Sequence, residues 1–258
     1  MGELKAKIVV FANQKGGVGK TTTALNLSAS LAEKGKKVLL VDSDPQGNAS
    51  SGVGLFQRNG HAHLYSCYMD SGNAEDCIHS TKLDNLSIIP SSIDLVGVEV
   101  EFITREDREK KLRNILRPLR DKFDYIFIDC PPSLGLLTIN GLTAADSVLI
   151  PIQCEYFALE GLAQLIETIR KVKKGLNQAL YIEGLLLTMY DKRNRLTHHI
   201  ASEITKHFET KVYKTVIPRN VRLSESPSHG KTILEYDRAC SGAQAYLDLG
   251  NEFSQRNR

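Results

Sequence analysis

Three short stretches of this chain carry side chains whose types and spacing could handle a phosphate and a metal ion. The first is 13–22, Asn-Gln-Lys-Gly-Gly-Val-Gly-Lys-Thr-Thr. Gly16, Gly17 and Gly19 let the backbone turn tightly, so that several N–H groups around Val18 face one anion. A helix that starts there adds its positive end. Lys20 is placed to reach β- and γ-phosphates, the Thr21 hydroxyl to coordinate Mg²⁺, and Thr22 closes the loop. The second stretch is 41–47, Val-Asp-Ser-Asp-Pro-Gln-Gly. Asp44 suits a role in orienting or polarising a water that attacks a γ-phosphate, and Asp42 suits contact with Mg²⁺ through water. A strand ending in an Asx/Pro turn is the plainer reading of the same residues. The third is 125–132, Tyr-Ile-Phe-Ile-Asp-Cys-Pro-Pro, where an apolar run ends in Asp129, a carboxylate for the metal bound at Thr21.

Elements of a particular kind must hold these groups. The apolar run 8–12 precedes the glycine loop and a helical stretch, 21–34, follows it. Strand, glycine loop and helix in that order form a phosphate-binding P-loop. Further strands are predicted at 37–42, 86–90, 124–129, 147–152, 181–190 and 211–218. Several are continuously apolar, as expected of strands buried on both faces. Between them lie helical stretches, notably 158–174, with Leu159, Leu162, Leu165, Ile166 and Ile169 on one stripe. The alternation predicts an α/β fold, a mostly parallel sheet with right-handed crossovers and helices on both faces. No linker or internal repeat divides the chain, so 1–258 is expected to be one domain. The stretch 52–80 has weak periodicity, and the charged run 105–113 reads as a solvated helix face.

Composition narrows the class. At 258 residues, 41% hydrophobic and 24% charged, the chain resembles an ordinary globular protein large enough to bury a substantial core. No apolar run approaches the ~20 residues of a membrane span. Lys5 and Lys7 flank the first strand, where a signal peptide would need its apolar region. Five cysteines, Cys67, Cys77, Cys130, Cys154 and Cys240, lack metal-binding spacing and read as reduced thiols of a cytoplasmic protein. Cys130 reads as a small core residue, with a chemical role as the alternative. Neighbouring His198 and His199 would point about 100° apart on a helix, a poor arrangement for a metal. From 170 to 231 there are thirteen Lys and Arg against five Asp and Glu, a net of +8 in a chain whose total is +3. That asymmetry suits a polyanion-facing surface, or a merely solvated face.

The glycine loop departs from the strict P-loop pattern, because Gln14 stands where its first glycine belongs and Lys15 precedes the glycine pair. In this it resembles the deviant Walker A motif of the ParA/MinD group of ATPases. The stretches 41–47 and 125–132 resemble the switch I and switch II segments of ParA proteins. The segments 187–193, Leu-Thr-Met-Tyr-Asp-Lys-Arg, and 216–230, which contains Pro218-Arg-Asn220, are similar to the chromosomal ParA or Soj subfamily. The resemblance runs nearly end to end. It implies that Lys15 acts in trans on a partner's nucleotide and that Asp44 supports hydrolysis. It implies that Pro218 and Asn220 lie against adenine, and that Arg193 and Arg222 bind DNA without sequence preference. Arg195, Lys206, Lys211 and Lys214 of the basic stretch would support them. The implied protein is an ATP-dependent chromosome- or plasmid-partitioning ATPase with ATP and Mg²⁺ as cofactors. Its ATP-bound homodimer binds double-stranded DNA until a ParB/Spo0J-like centromere-binding partner stimulates hydrolysis, so it would be cytoplasmic and nucleoid-associated.

Three other classes share parts of this pattern. A MinD-like membrane switch needs a basic, apolar C-terminal helix, and 247–258 is too short and polar to anchor stably. An iron–sulfur carrier needs suitably placed cysteines. A replication or transcription regulator using the same ATP switch stays open. The short stretch before Lys7 leaves no room for a helix-turn-helix, which disfavours the long plasmid type.

Overall fold

Alternation within each strand sorts its side chains to two opposite faces. In the computed structural model, which describes residues 6–55, 62–69 and 73–257, Ile8 and Val10 belong to one hydrophobic cluster and Val9 and Phe11 to the other. Leu39 and Val41 oppose Val38 and Leu40, and Ile126 and Ile128 oppose Phe127, in the same way. Both faces are therefore covered, and this explains the unbroken apolar strands. Lys5 and parts of 52–80 (56–61 and 70–72) lie outside the described residues.

Seven strands form one sheet: β1 (Lys7–Phe11), β2 (Val38–Asp42), β3 (His79–Ser80), β4 (Leu86–Ile89), β5 (Tyr125–Asp129), β6 (Ser147–Gln153) and β7 (Tyr181–Thr188). Their order is β3-β4-β2-β5-β1-β6-β7. All pairings are parallel except β3 with β4. The helices are α1 (Lys20–Ala32), α2 (Asn48–Gly52), α3 (Leu64–Tyr68), α4 (Leu95–Glu101), α5 (Lys111–Leu116), α6 (Leu136–Ala144), α7 (Ala158–Gly175), α8 (Arg195–Phe208), α9 (Val221–Glu225), α10 (Ile233–Tyr236) and α11 (Ser241–Arg256). Buried side chains of α3 to α8 join the first cluster, and those of α1, α2 and α9 to α11 the second. The result is a single α/β domain of the expected kind.

Two predicted elements differ. The stretch 211–218 is not a strand. It runs beside β7 and touches it at isolated bridges, Leu185 with Val212 and Tyr190 with Pro218. Between them the Lys214 and Thr215 N–H groups turn away and donate to the Glu252 carboxylate of α11, at 2.9 and 2.8 Å. A ladder cannot continue where its donors are spent elsewhere. Strand β7 ends at Thr188, short of the expected 190, and Met189 follows at φ 48°. The charged run 105–113 is likewise not one helix. Asp107 sits in the left-handed region at φ 56°, and a 3₁₀ turn, Arg108–Lys110, leads into α5.

The register of the sheet matters most for function. Asp42 on β2, Asp129 on β5 and Phe11 on β1 lie side by side across three strands. The segments that leave these strands, including the glycine loop, therefore emerge together at the carboxyl edge, where ligands of open α/β sheets bind.

Candidate active site

The glycine loop begins with a turn that Gln14 does not make. The Asn13 side chain accepts from the Lys15 N–H at 3.0 Å and donates to the Pro151 carbonyl at 2.7 Å. This Asx turn replaces the missing first glycine and ties the loop to β6. Gly17 and Gly19 then take φ values of 73° and 85°, which side chains rarely tolerate. The Thr188 hydroxyl at the end of β7 holds the loop from the other side, donating to the Val18 carbonyl at 2.8 Å. Helix α1 starts directly after Gly19, and no side chain caps it. Its first-turn N–H groups are thus oriented for an anion.

Lys20 is only 6% exposed. Its Nζ donates to the Lys15 carbonyl at 3.2 Å. Burial pulls the ammonium pKa below its ordinary value, and Asp129, Cys130 and Asp44 oppose that shift. A buried cation held this way gains from any phosphate beside it.

Asp129 is fully buried, and neither carboxylate oxygen accepts a hydrogen bond of ordinary geometry. Desolvation first, then the neighbouring Asp42, raise its pKa well above the carboxylate range, while the nearby Thr21 hydroxyl and Lys20 pull the other way. An unsatisfied buried carboxylate beside a hydroxyl is a good partner for a small hard cation. Among the described residues no group of three or more His, Cys, Asp or Glu forms a ready cage. This suits Mg²⁺, which keeps waters and phosphate oxygens and uses few protein ligands. Asp42 is more committed. It accepts from the Ser50 N–H at 2.8 Å, from the Ser50 hydroxyl at 2.7 Å and from the Asp44 N–H at 3.3 Å. Burial nonetheless pushes its pKa up to about 6. Asp42 therefore anchors the segment that carries Asp44 to α2.

Asp44 is 6% exposed and lies on the wall of a cavity of about 540 Å³. Its carboxylate accepts from the Gln46 N–H at 3.0 Å, and its carbonyl accepts from the Ser91 hydroxyl at 2.5 Å. Gly16, Gly17, Gly19, Lys20, Thr21 and Thr22 line the same cavity, and so do Pro218 and Asn220. Ile217, Leu223 and Pro227 add apolar lining. Asn220 caps α9 by accepting from the Arg222 N–H at 2.8 Å, and its amide donates to Ser241 at 2.9 Å.

Sequence reasoning passed over several residues here. Arg219 lines the cavity between the two residues that were singled out. Thr188 acts on the Val18 carbonyl, 170 positions away, and Ser50 on the Asp42 carboxylate. Glu155 forms an ion pair with Lys15. Both side chains of that pair are about half exposed, and such a pair holds with only ~0–1 kcal/mol. Lys15 is therefore easily released. Cys130 is buried, and burial pushes its thiol up, which agrees with a core role. The basic residues Arg193, Arg195, Lys206, Lys211, Lys214 and Arg222 are all exposed, on and around α8 and α9. Arg222 is not free, since it pairs with Glu225 at 2.9 Å and Asp237 at 3.5 Å.

Comparison with known proteins agrees with this geometry. An AAA domain family model matches residues 6–182. The chain is 56% identical over 246 residues to the sporulation initiation inhibitor protein Soj of Bacillus subtilis strain 168, covering 95% of this chain and 97% of that one. It belongs to the ParA/Soj family of chromosome-partitioning ATPases. Two solved structures of similar fold hold nucleotide. A plasmid partition protein of Borrelia burgdorferi B31 bound to AMPPNP superposes with a TM-score of 0.83 at 28% identity, covering 98% of this chain and 100% of that one. A structure described as cobyrinic acid a,c-diamide synthase of Mycobacterium smegmatis, with ADP and magnesium, gives 0.83 at 34% identity over 95% and 93% of the two chains.

The buried carboxylate makes a prediction for this ParA/Soj-family site. Asp129→Asn removes a charge that burial opposes and keeps the shape. The thermal midpoint of the nucleotide-free protein should rise, by about 1–3 kcal/mol of stability, while magnesium-dependent turnover is lost. Differential scanning calorimetry and a phosphate-release assay check both. A lowered midpoint would mean that Asp129 is held by partners and not waiting for a cation.

Proposed function

We propose that the chain hydrolyses ATP to ADP and phosphate with Mg²⁺, and that nucleotide state sets its occupancy of DNA. The observation that carries this reading is the single cavity shared by the glycine loop, Asp44 and the 217–220 segment. In the proposed cycle the loop N–H groups and Lys20 bind the β- and γ-phosphates. Thr21 and Asp129 hold Mg²⁺, and Asp42 reaches it through water. When bound, the metal neutralises charge that develops on the transferring phosphoryl group. Pro218 and Asn220 lie against the adenine. Asp44 orients the attacking water, and phosphoryl transfer depends chiefly on such positioning.

Lys15 leaves Glu155 and contacts the nucleotide of a second copy, so ATP closes a homodimer. The dimer binds duplex DNA through phosphate contacts from Arg193, Arg222, Arg195, Lys206, Lys211 and Lys214. A ParB/Spo0J-like centromere-binding protein stimulates hydrolysis and releases it. The name of the Bacillus relative, an inhibitor of sporulation initiation, favours a second output of the same switch in regulation. A membrane-switch role fits less well. No helix among the described residues is long and apolar enough to cross a membrane. The apolar face of α11 (Tyr246, Leu249, Phe253) is buried in the core and not offered to lipid. A cytoplasmic, nucleoid-associated protein follows from this reading.

The experiment is Lys20→Ala with a fluorescent ATP analogue at equilibrium. Removing the charge-assisted contact should weaken binding at least tenfold, about 1.4 kcal/mol. Unchanged affinity would remove the phosphate assignment on which the rest depends.

A further inference from the structure

Two cysteines ten positions apart, Cys67 on α3 and Cys77 just before β3, meet in the core. The Cys67 Sγ donates to the Cys77 Sγ at 2.8 Å, and the Cys77 thiol points on to the His63 carbonyl at 3.5 Å. Both are free thiols and nearly fully buried, at 3% and 0% exposure. The site is not sealed. Cys67 lines a second cavity of about 250 Å³ with Asn73, Ala74, Lys111, Asn114 and Pro118, which has room for a molecule the size of water or peroxide. The remaining cysteines are single. Cys130 and Cys154 are buried, and Cys240 accepts from the Ala243 N–H at the start of α11.

We propose that Cys67 and Cys77 form a modification site, a thiol pair that a small hydroperoxide oxidises to an intramolecular disulfide. Sulfurs already in contact need to close by only about 1 Å to reach the S–S bond length of ~2.05 Å. The S–H of Cys67 stabilises a thiolate on Cys77, whose pKa is lowered for that reason, while Cys67, as the donor, is raised. Of the pair, Cys77 is the one biased toward the thiolate, the nucleophilic form. That thiolate attacks a peroxide oxygen. The O–O bond breaks; from hydrogen peroxide hydroxide leaves and takes up a proton as water, and from an organic hydroperoxide an alkoxide leaves and takes up a proton as the alcohol. The second thiol loses its proton and attacks the sulfenic sulfur, its S–OH bond breaks, and a further water leaves. Two thiols give up two electrons and two protons, and the peroxide is reduced by the same amount.

The test uses the full chain and hydrogen peroxide, with acid quench, denaturation, alkylation and peptide mapping by mass. A Cys67–Cys77 linkage should form at least about tenfold faster than Cys240 is oxidised, because Cys77 is biased toward the reactive thiolate and its resolving sulfur is already in contact. It should slow to the rate of Cys240 when the protein is first unfolded in urea. In Cys67→Ser, dimedone should trap a sulfenic acid on Cys77. Both thiols still alkylatable after Cys240 has reacted would overturn the proposal. So would linkages to other cysteines, equal rates in urea, or no trapped sulfenic acid while the linkage forms in the unsubstituted chain.

Discussion

Asp44→Ala is expected to bind ATP and dimerise normally yet lose at least ~10²-fold in turnover, the scale of a positioned base or water-orienting group. The carboxylate sits on the cavity wall, while its main chain is fixed independently by Ser91 and by Asp42. Truncating the side chain should therefore leave the wall in place and remove only the group that orients water. Lys15→Ala should fail at a different step. Its side chain pairs only weakly with Glu155 within the protomer, so its loss should cost the monomer little. If the lysine makes a charge-assisted contact with the partner's phosphate, dimer affinity should fall by the ~1.5–3 kcal/mol of such bonds, roughly 10- to 150-fold. Light scattering during size exclusion with ATP, alongside phosphate release, separates the two. Lys15→Ala dimerising at wild-type affinity, or Asp44→Ala turning over at the wild-type rate, would refute the respective role.

The site was legible to the extent that its chemistry is local in sequence. Lys20, Thr21 and the glycines are one turn, and a turn's purpose can be read from its residues. The central strands were legible for a related reason, since burial on both faces leaves no polar residue to interrupt them. What escaped is what the chain completes over long distances. Nothing near Lys214 signals that Glu252 will take its N–H, so 211–218 reads as a strand and is not one. The substitute for the missing glycine is Asn13, whose role depends on Pro151, more than a hundred residues later. Strand β3 has two residues and cannot show a period. The contact of Cys67 with Cys77 spans a stretch with no readable pattern.

Acidic pairing at the carboxyl edge also has a direction in pH. Asp42 has a folded pKa of about 6, above its unfolded value, and Asp129 is shifted the same way. The folded state therefore binds more protons than the unfolded chain between the ordinary carboxylate range and pH ~6, and stability falls as pH rises through that window. A cation bound there would favour the charged carboxylates and offset that loss. A site that is destabilised when empty and charged is consistent with the proposed use of nucleotide and metal as a conformational switch.

DNA binding by the ATP-bound state should weaken steeply with salt and depend little on sequence. Phosphate contacts carry no base information, and each neutralised phosphate releases counterions. About six contacts per dimer, half of the named side chains in each protomer, would lose ~10³-fold in affinity between ~50 and ~200 mM salt. One protomer offers a single weak patch; two patches on one rigid body gain by avidity, ~10²–10⁴-fold, so binding in ADP should be far weaker. The two arginines should then behave differently. Arg193 is 93% exposed at its side chain and paired with its neighbour Asp191, so Arg193→Ala should reduce affinity and the salt slope while leaving the thermal midpoint unchanged. Arg222 is already paired with Glu225 and Asp237. Arg222→Glu would set a third carboxylate beside those two, abolishing DNA binding at some cost to α9, while ATP-driven dimerisation survives. A salt titration on two unrelated duplexes, in ATP and in ADP, checks each point. Preference for one duplex, equal binding in ADP, or a flat salt slope would show that the exposed basic residues around α8 and α9 are a solvated face and that any DNA contact lies elsewhere.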